Sequence, residues 1–140
     1  MLAAWIIELV MLIAPQYDVP PMLVVSIIIK ESRGNIYAIN YNDNGTVDRG
    51  LMQLNSSWFT GDWECAETNI RAGVILLKYL YELTKHTSPY WFAALVSYNC
   101  GLNWFINNID PPNQSINYAI GIMQLWNEID PLRARQMGMR

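Results

Sequence analysis

Glu31 has the clearest capacity for chemistry in this sequence. It follows Met22 to Ile29, a stretch that is apolar except for Ser26. If that stretch is a helix, Glu31 sits at its C-terminal end, where the macrodipole is negative. The dipole and the apolar neighbours both disfavour the ionised carboxylate. A raised carboxyl pKa suits a general acid working near neutral pH. The competing reading is an exposed glutamate paired with Lys30 or Arg33. Three later segments carry groups of the kind that hold a substrate: Gly50 to Asn55 (GLMQLN), Ser97 to Gly101 (SYNCG), and Tyr118 behind a polar loop. Each also has an ordinary reading, with Gln53 as a surface amide, Tyr98 as core and Tyr118 as helix packing.

These residues need elements to position them. Met22 to Ile29 would also suit a strand because of its β-branched residues. A proline-started first turn and its length favour a helix, capped by Asp18, with Pro20 and Pro21 in the first turn and Gly34 closing it. An all-round apolar helix is a buried one. Asn44-Gly45 within Ala38 to Arg49 is a hairpin-turn signal, so a small β-hairpin is expected near residues 38–50. Gly50 to Phe59 reads as a short helix or turn. Ile70, Val74, Leu77, Leu80 and Tyr81 recur at helical spacing, giving a helix over Thr68 to Thr84. Ser88-Pro89 opens another that runs to Cys100 and stops at Gly101. A turn of helix over Leu102 to Asn107, a loop over Asp110 to Ser115 and a last long helix over Asn117 to Ile129 follow. The tail from Pro131 is expected to fray.

The N-terminal stretch Met1 to Ala14 is apolar, but it lacks a basic start, carries Glu8 and meets Pro15 without a small-residue cleavage site. It is too short to span a bilayer. It therefore reads as the first helix of the fold, with any export signal lying upstream. The 140 residues suit one domain, residues 1–140. The expected class is mainly α, a helical domain with one β-hairpin inserted after the second helix.

Composition removes several functions. The net charge is −3 and the nine Lys and Arg residues are scattered, so there is no basic stripe for nucleic acid and no polybasic membrane anchor. Cys65 and Cys100 lack metal-type spacing and His86 is the sole histidine, so no metal and no organic cofactor is expected. The two cysteines read as half-buried thiols or as a disulfide pair. Asn40, Asn42, Asn44 and Gly45 faintly match a calcium loop, but Leu51 stands where the bidentate Glu would be. Six Trp and eight Tyr suit either a core or a groove wall that stacks on sugars.

Taken together, the segments resemble the soluble lytic transglycosylase family, which shares a lysozyme-like fold with goose-type lysozymes. The matches are Glu31-Ser32, Gly50-Leu51-Met52-Gln53, Tyr98-Asn99-Cys100-Gly101 and Tyr118, in family order over roughly residues 17 to 125. Cys100 departs from the family's usual Ala, a swap of small volume. The insert NYNDNGTVDRGLMQLN is most similar to small specialised members associated with secretion and conjugation machinery.

The resemblance implies a lysozyme-like (α+β) fold and a peptidoglycan substrate. It implies that Glu31 protonates the glycosidic oxygen between N-acetylmuramic acid and N-acetylglucosamine, and that the muramoyl C6 hydroxyl then attacks C1 to give a 1,6-anhydro product. Ser32, Gln53, Asn55, Tyr98 and Asn99 would contact the glycan or shape its groove, and Tyr118 would help hold Glu31. Related secretion-associated members pair a cysteine near Cys65 with one near the N-terminus, which has no counterpart here. The implied partners are glycan strands and an envelope-spanning secretion or conjugation machine, and the implied location is the periplasm or cell envelope. Two alternatives stay open. A lysozyme-type muramidase would hydrolyse the same bond with Asp43 or Asp48 as second carboxylate, although both also read as solvated turn formers. A non-catalytic glycan-binding or assembly module is the other.

Overall fold

The apolar N-terminal stretch folds as a helix that buries one face and leaves Trp5, Met11 and Leu12 exposed. In the computed structural model, which describes residues 2–88 and 91–136, α1 spans Ala4–Ile13 and buries Ile6, Val10 and Ile13. A 3-10 turn, Ala14–Tyr17, follows. α2 spans Pro21–Ser32 with Pro20 as its N-cap. Asp18 does not cap α2 as the sequence suggested. It adopts a left-handed conformation, φ 55°, and ends the 3-10 turn. The two prolines already remove amides that a cap would have to satisfy. The helical reading of the β-branched run holds, with Leu23, Val24, Ile27 and Ile28 fully buried.

The hairpin is present and is extended by a strand. β1 (Ile39–Tyr41) and β2 (Val47–Arg49) pair antiparallel, and β3 (Leu54–Asn55) adds to β2. The expected helix or turn over Gly50 to Phe59 is a turn at residues 50–53 and 56–58, and β3 interrupts it at Leu54–Asn55. Leu54 alternates with the polar residues around it, so one side chain is buried while its neighbours are not. Two cross-strand rows result: Asn40, Asp48 and Asn55 on one face, Ile39, Arg49 and Leu54 on the other.

α3 spans Ala66–Thr84, α4 Phe92–Cys100, α5 Asn103–Ile106, α6 Asn113–Ile129 and α7 Pro131–Gln136. α6 starts at Asn113, not Asn117, and so takes in much of the expected Asp110–Ser115 loop. Pro112 serves as its N-cap, and the Pro112 carbonyl accepts the Ser115 and Ile116 N–H groups. Pro89, expected at the start of a helix, lies outside the described residues. So does the tail beyond residue 136, while residues 131–136 form α7 rather than a frayed end. α4 begins at Phe92 with Trp91 as its N-cap, later than Ser88-Pro89 suggested, although the Ser88 hydroxyl still accepts the Ala93 N–H at 3.2 Å.

The chain divides into two compact units, Met1–Ile75 and Leu76–Arg140. The first has a core of α1 and α2 side chains with Leu51, Met52 and Leu54, and Ile70 and Val74 from the first turns of α3. There Arg71 donates to the Tyr17 hydroxyl at 3.1 Å and to Gln16 at 2.9 Å. In the second unit α4 packs chiefly on α6. Ala93, Leu95 and Val96 of α4 and Ala119, Ile122 and Trp126 of α6 are buried there, and Tyr81 stacks on Trp91 at 3.7 Å between ring centroids. The chain is thus mainly α with one small antiparallel sheet, a lysozyme-like class. Among the described residues no helix is long and apolar enough to cross a membrane.

Candidate functional site

In the Met1–Ile75 unit, Glu31 lies in the last turn of α2 and is half-buried. Its backbone position is fixed by the way the helix stops. Arg33 takes a left-handed conformation, φ 54°, and its N–H bonds the Ile28 and Ile29 carbonyls at 3.1 and 3.2 Å. Gly34 is also left-handed, φ 83°, and a Cβ there would lie 2.9 Å from Leu2 Cδ2. The Ser32 hydroxyl donates to the Ile28 carbonyl at 3.2 Å and accepts the Gly34 N–H at 3.1 Å. Ser32 is buried, and its hydrogen bonds go to closing the helix. This C-terminal lock leaves the helix no freedom to unwind beneath Glu31.

Gln53 ends a tight turn that begins at Gly50. It is left-handed, φ 54°, a conformation that is uncommon for a non-glycine residue. Its Nε2 donates to the Gly50 and Ala38 carbonyls at 3.0 and 3.2 Å, and its Oε1 accepts from Asn40 Nδ2 at 2.6 Å. Gln53 therefore ties the turn to the foot of β1. Asn55 Nδ2 donates to Asp48 Oδ1 at 2.8 Å and to the Thr46 hydroxyl at 3.1 Å. Two separate sets of hydrogen bonds result: Asn40 with Gln53, and Asn55 with Asp48 and Thr46. Asp43 is exposed near the hairpin tip.

The residue that sequence reasoning missed is Asn69 on α3. It is fully buried. Its Oδ1 accepts the Met52 N–H at 2.8 Å, and its Nδ2 donates to the Arg49 and Trp63 carbonyls at 3.2 and 3.1 Å. A polar residue between two helically spaced apolar positions was the available signal. Gly73, one turn further along, lets Met52 lie against the helix backbone, since a Cβ at Gly73 would lie 2.9 Å from Met52 Cβ. Gly50, at φ 80°, leaves the space that the Asn69 amide fills.

In the Leu76–Arg140 unit, Tyr98 and Asn99 lie in the last turn of α4, Tyr98 half-buried and Asn99 exposed. The Asn99 side-chain oxygen accepts from the Ser115 hydroxyl at 2.7 Å, joining the end of α4 to the start of α6. Tyr118 is buried on α6. Gly101 stops α4 as expected, φ 86°, with its N–H on the Ser97 carbonyl at 2.7 Å. Asn99 is thus tied to the start of α6 through Ser115, and Tyr118 lies on the same helix, while Glu31, Ser32, Gln53 and Asn55 belong to the other unit.

Cys65 and Cys100 are both free thiols and both exposed, a correction to the half-buried reading. The Cys65 thiol is held below its usual pKa. The largest cause is the Thr68 side-chain hydrogen bond, followed by backbone N–H groups at the head of α3. Among the described residues no cluster of three His, Cys, Asp or Glu side chains is placed to hold a metal.

The family model described as Transglycosylase SLT domain matches residues 8–115, well over half of the chain. The match contains Glu31, Ser32, Gln53, Asn55, Tyr98 and Asn99; Tyr118 lies beyond it. A stretch of 40 residues is 45% identical to Protein IpgF of Shigella sonnei, covering 29% of this chain. The matched stretch spans about a quarter of that relative's length, at 26%.

Proposed function

The chain belongs to the transglycosylase SLT domain family, and from that premise we propose that it cleaves the β-1,4 bond between N-acetylmuramic acid and N-acetylglucosamine in peptidoglycan, leaving a 1,6-anhydromuramoyl product. In this reading residues 1–140 act as one catalytic domain. The observation that carries the reading is Glu31, half-buried on the last turn of a buried apolar helix.

The Glu31 carboxylic acid donates its proton to the glycosidic oxygen as the bond from C1 breaks. The resulting carboxylate accepts the proton of the muramoyl C6 hydroxyl, whose oxygen closes on C1. Glu31 is left protonated for the next turnover, and no water is consumed. Intramolecular attack gains from proximity and removes the need for a second carboxylate. In keeping with the family pattern, Ser32, Gln53, Asn55, Tyr98 and Asn99 are assigned to contacting the glycan or shaping its groove, and Tyr118 to helping hold Glu31.

Hydrolysis would need a second carboxylate free to activate water. Asp48 accepts from Asn55 at 2.8 Å and Asp43 is exposed near a hairpin tip; attack by the C6 hydroxyl needs neither of them. A peptidoglycan substrate places the protein in the periplasm or cell envelope, where an envelope-spanning secretion or conjugation machine is the partner we propose.

Purified sacculi digested by the protein, with products read by mass spectrometry, test the reading. Anhydro-muropeptides are expected. Reducing muramoyl ends would instead establish hydrolysis, and no release would establish a binding module. Glu31→Gln is expected to lower the rate by at least about 100-fold, the low end for loss of a general acid; full activity in that variant would refute both enzymatic readings.

A further inference from the structure

The Leu76–Arg140 unit contains a cleft of about 410 Å³ that none of the seven site residues lines. Small-molecule sites run from about 300 to 1,000 Å³. Its walls are Phe92, Trp104, Phe105 and Ile109, and its polar groups come from Thr87, Ser88 and Asn108. No charged side chain is among the described residues that line it.

Three features make it a built surface rather than a gap. Trp104 Nε1 donates to the Ser97 hydroxyl at 3.1 Å, which fixes the indole plane. Phe105 stands edge-on to it, with planes at 77° and centroids 5.7 Å apart. Asn108 is left-handed, φ 52°, a conformation asparagine tolerates, and it turns the chain so that the Ile109 N–H meets the Trp104 carbonyl at 2.9 Å. Asn108 is exposed, and although its backbone N–H bonds the Phe105 carbonyl at 3.3 Å, its side-chain amide makes no hydrogen bond among the described residues and is open to a ligand.

Fixed aromatic faces beside an unspent amide, with no charge, match a neutral sugar ring. Its C–H face stacks on the aromatic side chains, and its acetamido and hydroxyl groups bond the amide. A charged ligand would lose water here with nothing to replace it. We propose that this cleft is a second glycan site, which holds a neutral N-acetylglucosamine-type residue of a glycan strand. The inference rests on the reading that the protein acts on peptidoglycan. A second hold on a polymeric substrate lengthens its residence.

The test is a nitrogen-15 NMR titration of the full chain carrying Glu31→Gln with chitotriose, a neutral oligosaccharide of N-acetylglucosamine. Saturable shifts are expected at the Phe92, Ala93, Phe105 and Asn108 amides and the Trp104 indole. Asn108→Gly keeps the left-handed backbone and removes only the amide; it should weaken binding at these signals about two- to tenfold. Trp104→Ala should weaken it by about tenfold. Silence of these signals at concentrations that saturate shifts at Lys30 to Arg33 would overturn the proposal. So would unchanged affinity in Asn108→Gly and Trp104→Ala together, or shifts from an apolar tripeptide that chitotriose fails to reproduce. Cleft shifts in a protein whose wild-type form releases no muropeptides would support the cleft while refuting the enzyme. Normal release with a silent cleft would refute the cleft alone.

Discussion

Replacing Asn69 tests whether α3 positions the Gly50–Gln53 turn. The Asn69 side chain is fully buried and satisfies the Met52 N–H at 2.8 Å and the Arg49 and Trp63 carbonyls at 3.2 and 3.1 Å. Alanine strands these groups and leaves a void of amide size. The Met52 N–H is the costliest loss, because an N–H has one bond to make and a carbonyl has two lone pairs. An orphaned buried group costs about 1–3 kcal/mol and each lost neutral bond about 1 kcal/mol. The stranded N–H and the two other lost bonds sum to about 3–5 kcal/mol, a large share of the roughly 5–15 kcal/mol that holds a domain. Asn69→Asp sharpens the test. It keeps the volume and the acceptor but turns a second oxygen toward two carbonyls, so it should destabilise at least as much as alanine despite its near-identical shape. Urea unfolding followed by tryptophan fluorescence, with thermal melts by circular dichroism, gives both numbers. An Asn69→Ala protein within about 0.5 kcal/mol of wild type, the range of an ordinary surface substitution, would refute the reasoning. So would an aspartate milder than alanine.

Gly50→Ala should destabilise by at least about 2 kcal/mol, since a Cβ there meets the Asn69 amide and lies 2.8 Å from the Trp63 carbonyl on a backbone already at φ 80°. Gly45→Ala, at φ 88° with nothing within 4 Å, carries the backbone term alone and should cost about 1 kcal/mol; equal losses by urea unfolding would show that the close approach at Gly50 is immaterial. Because its pKa is lowered, Cys65 reaches the thiolate at lower pH than an ordinary thiol, so iodoacetamide should label it ahead of Cys100 near pH 7.5, and its rate, which rises with pH, should begin that rise at a lower pH than for a free cysteine. Thr68→Val removes the largest cause and should slow that labelling; equal rates for both cysteines by peptide mapping would contradict the assignment.

Much of this protein is written locally in its sequence. The apolar run of α1, the periodicity of α3, the proline start of α2, the Asn44-Gly45 turn and the stop at Gly101 depend on residues a few positions apart, and local patterns carry such information directly. The ordered segments around Glu31, Gln53 and Tyr98 likewise pointed to a family that the match over residues 8–115 bears out. Other features needed the folded chain. β3 is two residues long, too short for an alternating pattern to register, and exists because β2 offers it an edge. The start of α6 at Asn113 rests on Pro112 acting as a cap rather than as a breaker. Asn69 looked like an ordinary polar residue on an amphipathic helix, yet its partners lie far along the chain at Met52 and Arg49. Glu31 is the clearest division between the two sources. Its type and its place at the end of an apolar run were legible from composition and spacing. Its half-buried setting, and the lock of Ser32, Arg33 and Gly34 that fixes the helix end beneath it, were decided by packing, because burial and hydrogen-bond partners belong to the assembled unit rather than to the residues one by one.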